Sequence, residues 1–135
     1  MFEHTEAKLK AHLADVLPGH PVHGTFDEPD LVSAGAPDLA VQVVWLGAAV
    51  SDRSRRAVKL AHRWAIYLYV GPGRGGADLT ADASAAFGIA LSRLLTFEPD
   101  RLTFADLENI PAPAYDGPAL RLALFFTLSD VARAT

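Results

Sequence analysis

The stretch of this sequence with the plainest claim to chemistry is GPGRGG, residues 71–76, which fits G-x-G-x-x-G through Gly71, Gly73 and Gly76. Glycines at that spacing let a tight turn bring backbone N–H groups against a pyrophosphate at a helix N-terminus. Such a loop also needs a setting: a short strand buried on both faces before it, and a helix leading to a second parallel strand with a terminal acid after it. Here the preceding run is amphipathic, with Lys59 and Arg63 on its outer face, and Pro72 removes one N–H from the cradle. The following helix runs into FEPDRL, where Glu98 falls in a turn, and no Lys-Ser or Lys-Thr completes a Walker loop. The stretch therefore reads as a strand-to-helix connection. Its one charge, Arg74, is placed to touch a neighbouring subunit or an acidic surface.

The other reactive side chains are scattered. The five histidines are His4, His12, His20, His23 and His62. His20 and His23 flank Pro21 in HPVH without a carboxylate to complete a set, and zinc needs three or four converging ligands. No metal or cofactor site is expected. Asp27, Glu28 and Asp30 form an acidic cluster that lacks EF-hand spacing and reads as a solvated loop. No serine occupies a G-x-S-x-G elbow, and the absence of cysteine removes disulfides, thiolate ligands and a Cys nucleophile. His62 stands on an apolar strand face and is expected to be a core histidine held by a backbone hydrogen bond. With no constellation that meets the requirements of an active site, the chain reads as non-enzymatic.

Composition narrows the class further. The chain has 135 residues, which fits one domain over 1–135, and half of them are apolar. Twelve basic and 16 acidic residues give a net charge of −4, unlike the basic footprint of a nucleic-acid binder. Residues 1–17 lack the apolar core of a signal peptide, and no run approaches the length of a membrane span. A soluble chain in the cytoplasm at synthesis is expected, with no membrane partner.

The elements that must position these side chains follow from periodicity. Phe2, Leu9, Leu13, Val16 and Leu17 recur at helical spacing over 2–17, and Pro18-Gly19 ends the run. PVHGTF is a short extended piece, and DEPDLVSAGAPD is a loop. In LAVQVVWLGAAV, residues 39–50, Leu39, Val41, Val43 and Trp45 share one strand face. The polar SDRSRR makes a turn into AVKLAHRWAIYLYV, residues 57–70, where Val58, Leu60, His62, Trp64, Ile66, Leu68 and Val70 alternate. Residues 78–95 read as an Ala-rich helix, RLTFADLENI as a short strand, PAPAYDG as a loop, and 119–129 as a last strand. The reading is α+β: a mainly antiparallel sheet of about four to five strands with two helices on one face, in the order α-β-β-β-α-β-β.

What remains for function is surface. The second face of 57–70 carries Lys59, Arg63, Tyr67 and Tyr69, and that of the last strand carries Arg121 and Phe125. Aromatics and Arg on a sheet face are residue types enriched at protein interfaces. A further layer of the same chain is the competing account of that face. With Arg74, these seven residues form the candidate interface, and Lys59, Arg63, Pro111 and Pro113 are placed to keep strand edges from uncontrolled pairing.

In element order and local character the sequence resembles the tail-terminator and tail-completion proteins of long-tailed bacteriophages, including Mu-like prophage minor tail proteins. The resemblance spans nearly the whole chain: the helix ending at LPGH, the strands LAVQVVWLGAAV and AVKLAHRWAIYLYV joined by a charged turn, the Ala-rich helix, and LENIPAPAYDGPALRLALFFTLS. It implies a structural protein without catalytic residues. Such a protein caps the tail tube, ends its polymerisation and presents the tail-side surface for head joining, commonly as a ring of six copies. Its implied partners are further copies of itself, the tail tube protein and head–tail connector proteins, with no sequence-specific nucleic acid. Its implied place is the virion tail, reached from the host bacterial cytoplasm. The GPGRGG loop matches no feature of that family. A bacterial cytosolic ligand-binding or regulatory α+β domain is the alternative, and an enzyme built on His62 or the acidic loop is a third reading.

Overall fold

A computed structural model describes residues 2–27, 39–54, 56–71, 77–99, 105–116 and 119–133. Glu28 and Asp30 of the acidic loop, Arg55 of the charged turn, and Pro72–Gly76 with Arg74 lie outside the described residues.

Helix α1 spans Phe2–His12, with Glu3 in its first turn and Lys10 and His12 in its last, the arrangement the helix dipole favours. The apolar stripe continues past the helix, and its physical form changes there. Ala14 N–H bonds Ala11 O and Val16 N–H bonds Leu13 O, both one residue tighter than α-helical pairing. Tight turns also keep residues three apart on one side, so Leu9, Leu13 and Val16 all stay within 2 % exposure although the helix stops at His12. Periodicity alone does not separate the two conformations. Gly19 then closes the segment at φ +83°, a conformation glycine adopts without steric cost.

The sheet is built from β1 (Val22–His23), β2 (Leu39–Arg53), β3 (Ala57–Val70), β4 (Asp106–Asn109), β5 (Ala114–Asp116) and β6 (Ala119–Arg133). Its order is β1-β2-β3-β6-β4, with β5 also on β6; among the described residues only the β1–β2 pair is parallel. Helix α2 (Ala77–Leu95) lies between β3 and β4 in sequence. The α+β architecture expected from the sequence is present, with both helices on one face. The sixth strand is β5, at Ala114–Asp116, where the two prolines and Asp-Gly of PAPAYDG suggested only a loop. Three residues of edge pairing leave no alternation to read.

The alternating face of β3 makes the core. Trp64 stands opposite Trp45 on β2 and Phe126 on β6, Ile66 opposite Val43 and Leu124, and Leu68 opposite Val41 and Leu122. Ala83, Ala86, Ala90 and Leu94 of α2 pack onto these residues, together with Leu9, Leu13 and Val16. Small residues on α2 let the helix sit close to the sheet. Beyond Trp45 the β2–β3 register slips, and Gly47, at φ +98°, occupies the irregularity. The slip inverts the alternation of β2. Ala48 now faces His62 and Val50 faces Leu60, so even-numbered β2 residues replace odd ones opposite the even face of β3.

His62 is 5 % exposed on this face. Its partner is a side chain rather than the expected backbone group: the Trp45 indole N–H donates to His62 Nδ1 at 3.0 Å. That bond needs Nδ1 unprotonated, so the ring is neutral with its proton on Nε2, which lies 3.9 Å from Asp130 Oδ2. Burial pushes the His62 imidazole below its ordinary value, with the Asp130 carboxylate pulling the other way. The unfolded chain therefore binds the proton more readily. His62 contributes stability above about pH 6.5 that is lost as pH falls. Thermal melts across this range should show the native chain losing stability towards acid more steeply than His62→Gln; parallel curves would contradict the assignment.

Candidate functional site

The second face of the sheet carries the expected interface residues, and the structure joins most of them into one connected patch. Alternation in β3 places Lys59, Arg63, Tyr67 and Tyr69 on it, and alternation in β6 adds Arg121 and Phe125. Tyr67 stands opposite Ala123 and flanks Phe125 edge-on, at 6.1 Å between ring centroids and 88° between planes. The Arg121 guanidinium lies over the Tyr67 ring at 4.4 Å, and that of Arg63 over Phe125 at 4.9 Å. Such stacking suits the planar, weakly hydrated guanidinium. Arg63 also pairs with Glu108 of β4 at 3.2 Å, which links three strands. Lys59 sits apart, exposed, nearer the β2–β3 turn and opposite Asp52. Arg74 lies outside the described residues.

The patch is less open than alternation alone suggests. Tyr67 and Tyr69 are each only 8 % exposed, and they form a small second core with Ala40, Ala65, Ala119 and Ala123. The Tyr69 hydroxyl donates to Gln42 Oε1 at 2.9 Å, and the Gln42 amide donates to the carbonyls of Gly24 and Asp27 at 2.9 and 2.8 Å. The same turn is fixed from the other side of β2. Glu6 of α1 accepts from Thr25 N–H at 2.8 Å and from the Thr25 hydroxyl at 2.5 Å, and that hydroxyl accepts from the Trp45 backbone N–H at 2.9 Å. Residues 24–27 thus wrap the β2 edge and tie α1 to the second face. A Cβ at position 24 would meet Glu6 Oε2 at 2.8 Å, so a larger residue there must displace the carboxylate that holds Thr25.

The exposed part of the patch is its charged margin, Arg63 and Glu108. Glu108 and Gln42 were not singled out from the sequence. The period-two spacing of Asp106 and Glu108 in DLEN was the available signal for the first. As the lone polar residue of an apolar strand, Gln42 marks the second face of β2 in the sequence, but nothing there points to its partners. Gln42→Leu removes the acceptor of Tyr69 and the donor to two carbonyls, and is expected to destabilise the chain by about 1–3 kcal/mol. Chemical denaturation checks this, and a change within error would show that the 24–27 turn is held by other contacts.

Chemically, the patch offers stacking surfaces, fixed cations and a carboxylate. These are recognition groups, with no nucleophile hydrogen-bonded to a base. Among the described residues, no three His, Asp or Glu side chains converge to hold a metal, and no helix is long and apolar enough to cross a membrane. Beside His62 lies a cavity of about 130 Å³ lined by Phe2, Thr5, Lys8, Trp64 and Asp130 among others.

No protein-family model matches this sequence. No curated protein matches it either. Among solved structures, the fold is shared with a chain from the virion of a native gene transfer agent (GTA) particle, with a TM-score of 0.56 and 16 % identity over 92 % of each chain. At that identity the likeness is one of fold.

Proposed function

We propose that this chain is a non-enzymatic structural protein of a phage or prophage particle, folded as one domain over 1–135. It caps the tail tube as a ring of copies, ends tube polymerisation and forms the tail-side surface for head joining. The observation that carries the reading is the fold shared with a virion chain over 92 % of each chain. The tail-terminator resemblance of the sequence supports the narrower role. A sheet face of Arg, Tyr and Phe with a charged margin suits a protein that works by contact. A ring requires two different, complementary patches on each subunit, and Lys59, Arg63, Arg74, Arg121 and Phe125 are the side chains assigned to contacts between copies or with the tube. Tyr67 and Tyr69 support that surface from beneath. Assembly takes place in the host bacterial cytoplasm, and the product resides in the virion tail beside tail tube and head–tail connector proteins.

The ligand-binding alternative has less to stand on. Pockets for small molecules run to about 300–1,000 Å³, well above the 130 Å³ beside His62. A wider hollow of about 520 Å³ lies between α1 and residues 96–99. Two of its polar side chains are already engaged: His12 Nε2 with Arg93 O at 2.7 Å, and Lys8 Nζ with Pro99 O at 2.7 Å. Co-sedimentation tests the proposal. The purified chain should pellet with preformed tail tubes and halt their further growth; tubes that lengthen unchanged in its presence would overturn the reading.

A further inference from the structure

The core stripe of the sheet ends in polar side chains. On β3 it runs Leu68, Ile66, Trp64 and then His62; on β6 it runs Leu124, Phe126, Leu128 and then Asp130, with His62 opposite Leu128 and Asp130 opposite Leu60. On β2 the regular register ends at Trp45, and the slip after it puts Ala48 opposite His62. The Trp45 indole meets the imidazole there, at 6.2 Å between ring centroids.

Three contacts converge on Trp45. Its indole N–H donates to His62 Nδ1, its ring stacks on Phe2 at 4.5 Å and 8°, and its backbone N–H donates to the Thr25 hydroxyl that Glu6 holds. Trp45 therefore ties the start of α1 to His62. Only a neutral imidazole sustains this arrangement. A protonated ring carries N–H on both nitrogens, and Nδ1–H would then confront the indole N–H. On the other side of the ring, the Asp130 carboxylate lies 3.9 Å from Nε2 and is 62 % exposed, a ready partner for an imidazolium. The cavity of about 130 Å³ beside His62, bordered by Phe2, Trp64 and Asp130, gives the ring room to turn. Two further titratable side chains, His4 and Lys8 of α1, border the same cavity. Burial opposes the charged ring most, Asp130 favours it, and the chain's amino terminus opposes it. From β2 the facing residues, Trp45 and Ala48, carry no charge.

From this arrangement we infer that His62 is an acid-operated latch: on protonation it leaves Trp45 for Asp130, and the first turn of α1 loosens from the sheet with the Phe2–Trp45 stack. The latch is closed while the ring is neutral and opens as pH falls through the folded-state value, which burial holds below the ordinary imidazole range. The rest of α1 stays seated through buried Leu9 and the His12 bond to Arg93. The latch belongs to the fold and is independent of the tail role.

Nuclear magnetic resonance over an acid titration tests it in the full-length chain. As His62 titrates, the Trp45 indole N–H should lose its hydrogen-bonded shift and the cross-peaks between the Phe2 and Trp45 rings should be lost, both at the His62 midpoint. The amides of Ile66 and Leu124 should keep their protection. His62→Gln should abolish the step, and Asp130→Asn should move it to lower pH. Trp45→Phe keeps a ring for Phe2 but removes the indole donor, so its His62 should titrate at higher pH without loss of the ring contact. Phe2–Trp45 cross-peaks that persist once His62 is protonated overturn the inference. So does the same acid step in His62→Gln, and so does a step that appears only together with loss of protection at Ile66 and Leu124.

Discussion

Trp64→Ala is expected to destabilise the chain by about 3–5 kcal/mol, the range for removing a large aromatic from a packed core. Trp64 is 1 % exposed and stands at the middle of the sheet, between Trp45 on β2 and Phe126 on β6. Phe2 of α1 meets its ring edge-on at 6.5 Å while stacking on Trp45 at 4.5 Å, so the cavity would open where the first helix meets both central strands. Among the described residues the buried Trp64 indole nitrogen meets no hydrogen-bond acceptor, so Trp64→Phe gives up no bond there and should cost much less than the alanine variant. Denaturant midpoints of the two variants check this. An alanine variant within 1 kcal/mol of native, by the same scale, would place the core elsewhere.

The second large effect is expected at Tyr67→Ala, at about 3 kcal/mol by the same cavity argument. Alternation alone marks this residue as surface, where loss of a ring would weaken contact between copies and spare the fold. The structure changes that expectation. The ring is 8 % exposed, lies under Arg121 and abuts Phe125 and Tyr69, so its removal leaves a cavity and strips the support from Arg121. Arg63→Glu, by contrast, alters an exposed pair of the kind worth about 0–1 kcal/mol and leaves the rings in place. Thermal melts should separate the two, with a large shift for Tyr67→Ala and a small one for Arg63→Glu. Equal shifts would contradict the burial argument.

These two residues also mark how far the sequence could be read. The fourteen-residue alternation of β3 set its bounds, Ala57–Val70, and both of its faces, because period two has no competing interpretation over that length. The burial of Tyr67 and Tyr69 was not legible, since it comes from contacts far apart in sequence: Gln42 with Gly24 and Asp27, and Arg121 with Tyr67. The same is true of His62, whose partner Trp45 is 17 positions away. The phase inversion of β2 was hidden because Gly47 reads as an ordinary small residue in an apolar run. Of the candidate interface, the residue types were legible from composition and spacing. The division into an exposed charged margin and a buried aromatic floor needed the fold.

The function proposed for this chain depends on copies meeting side by side at the end of a tube. Cryo-electron microscopy of tail tubes assembled with the purified chain tests that most directly. The account predicts a closed ring of copies at one tube end only. Bare tube ends, or single copies scattered along the tube wall, would contradict it.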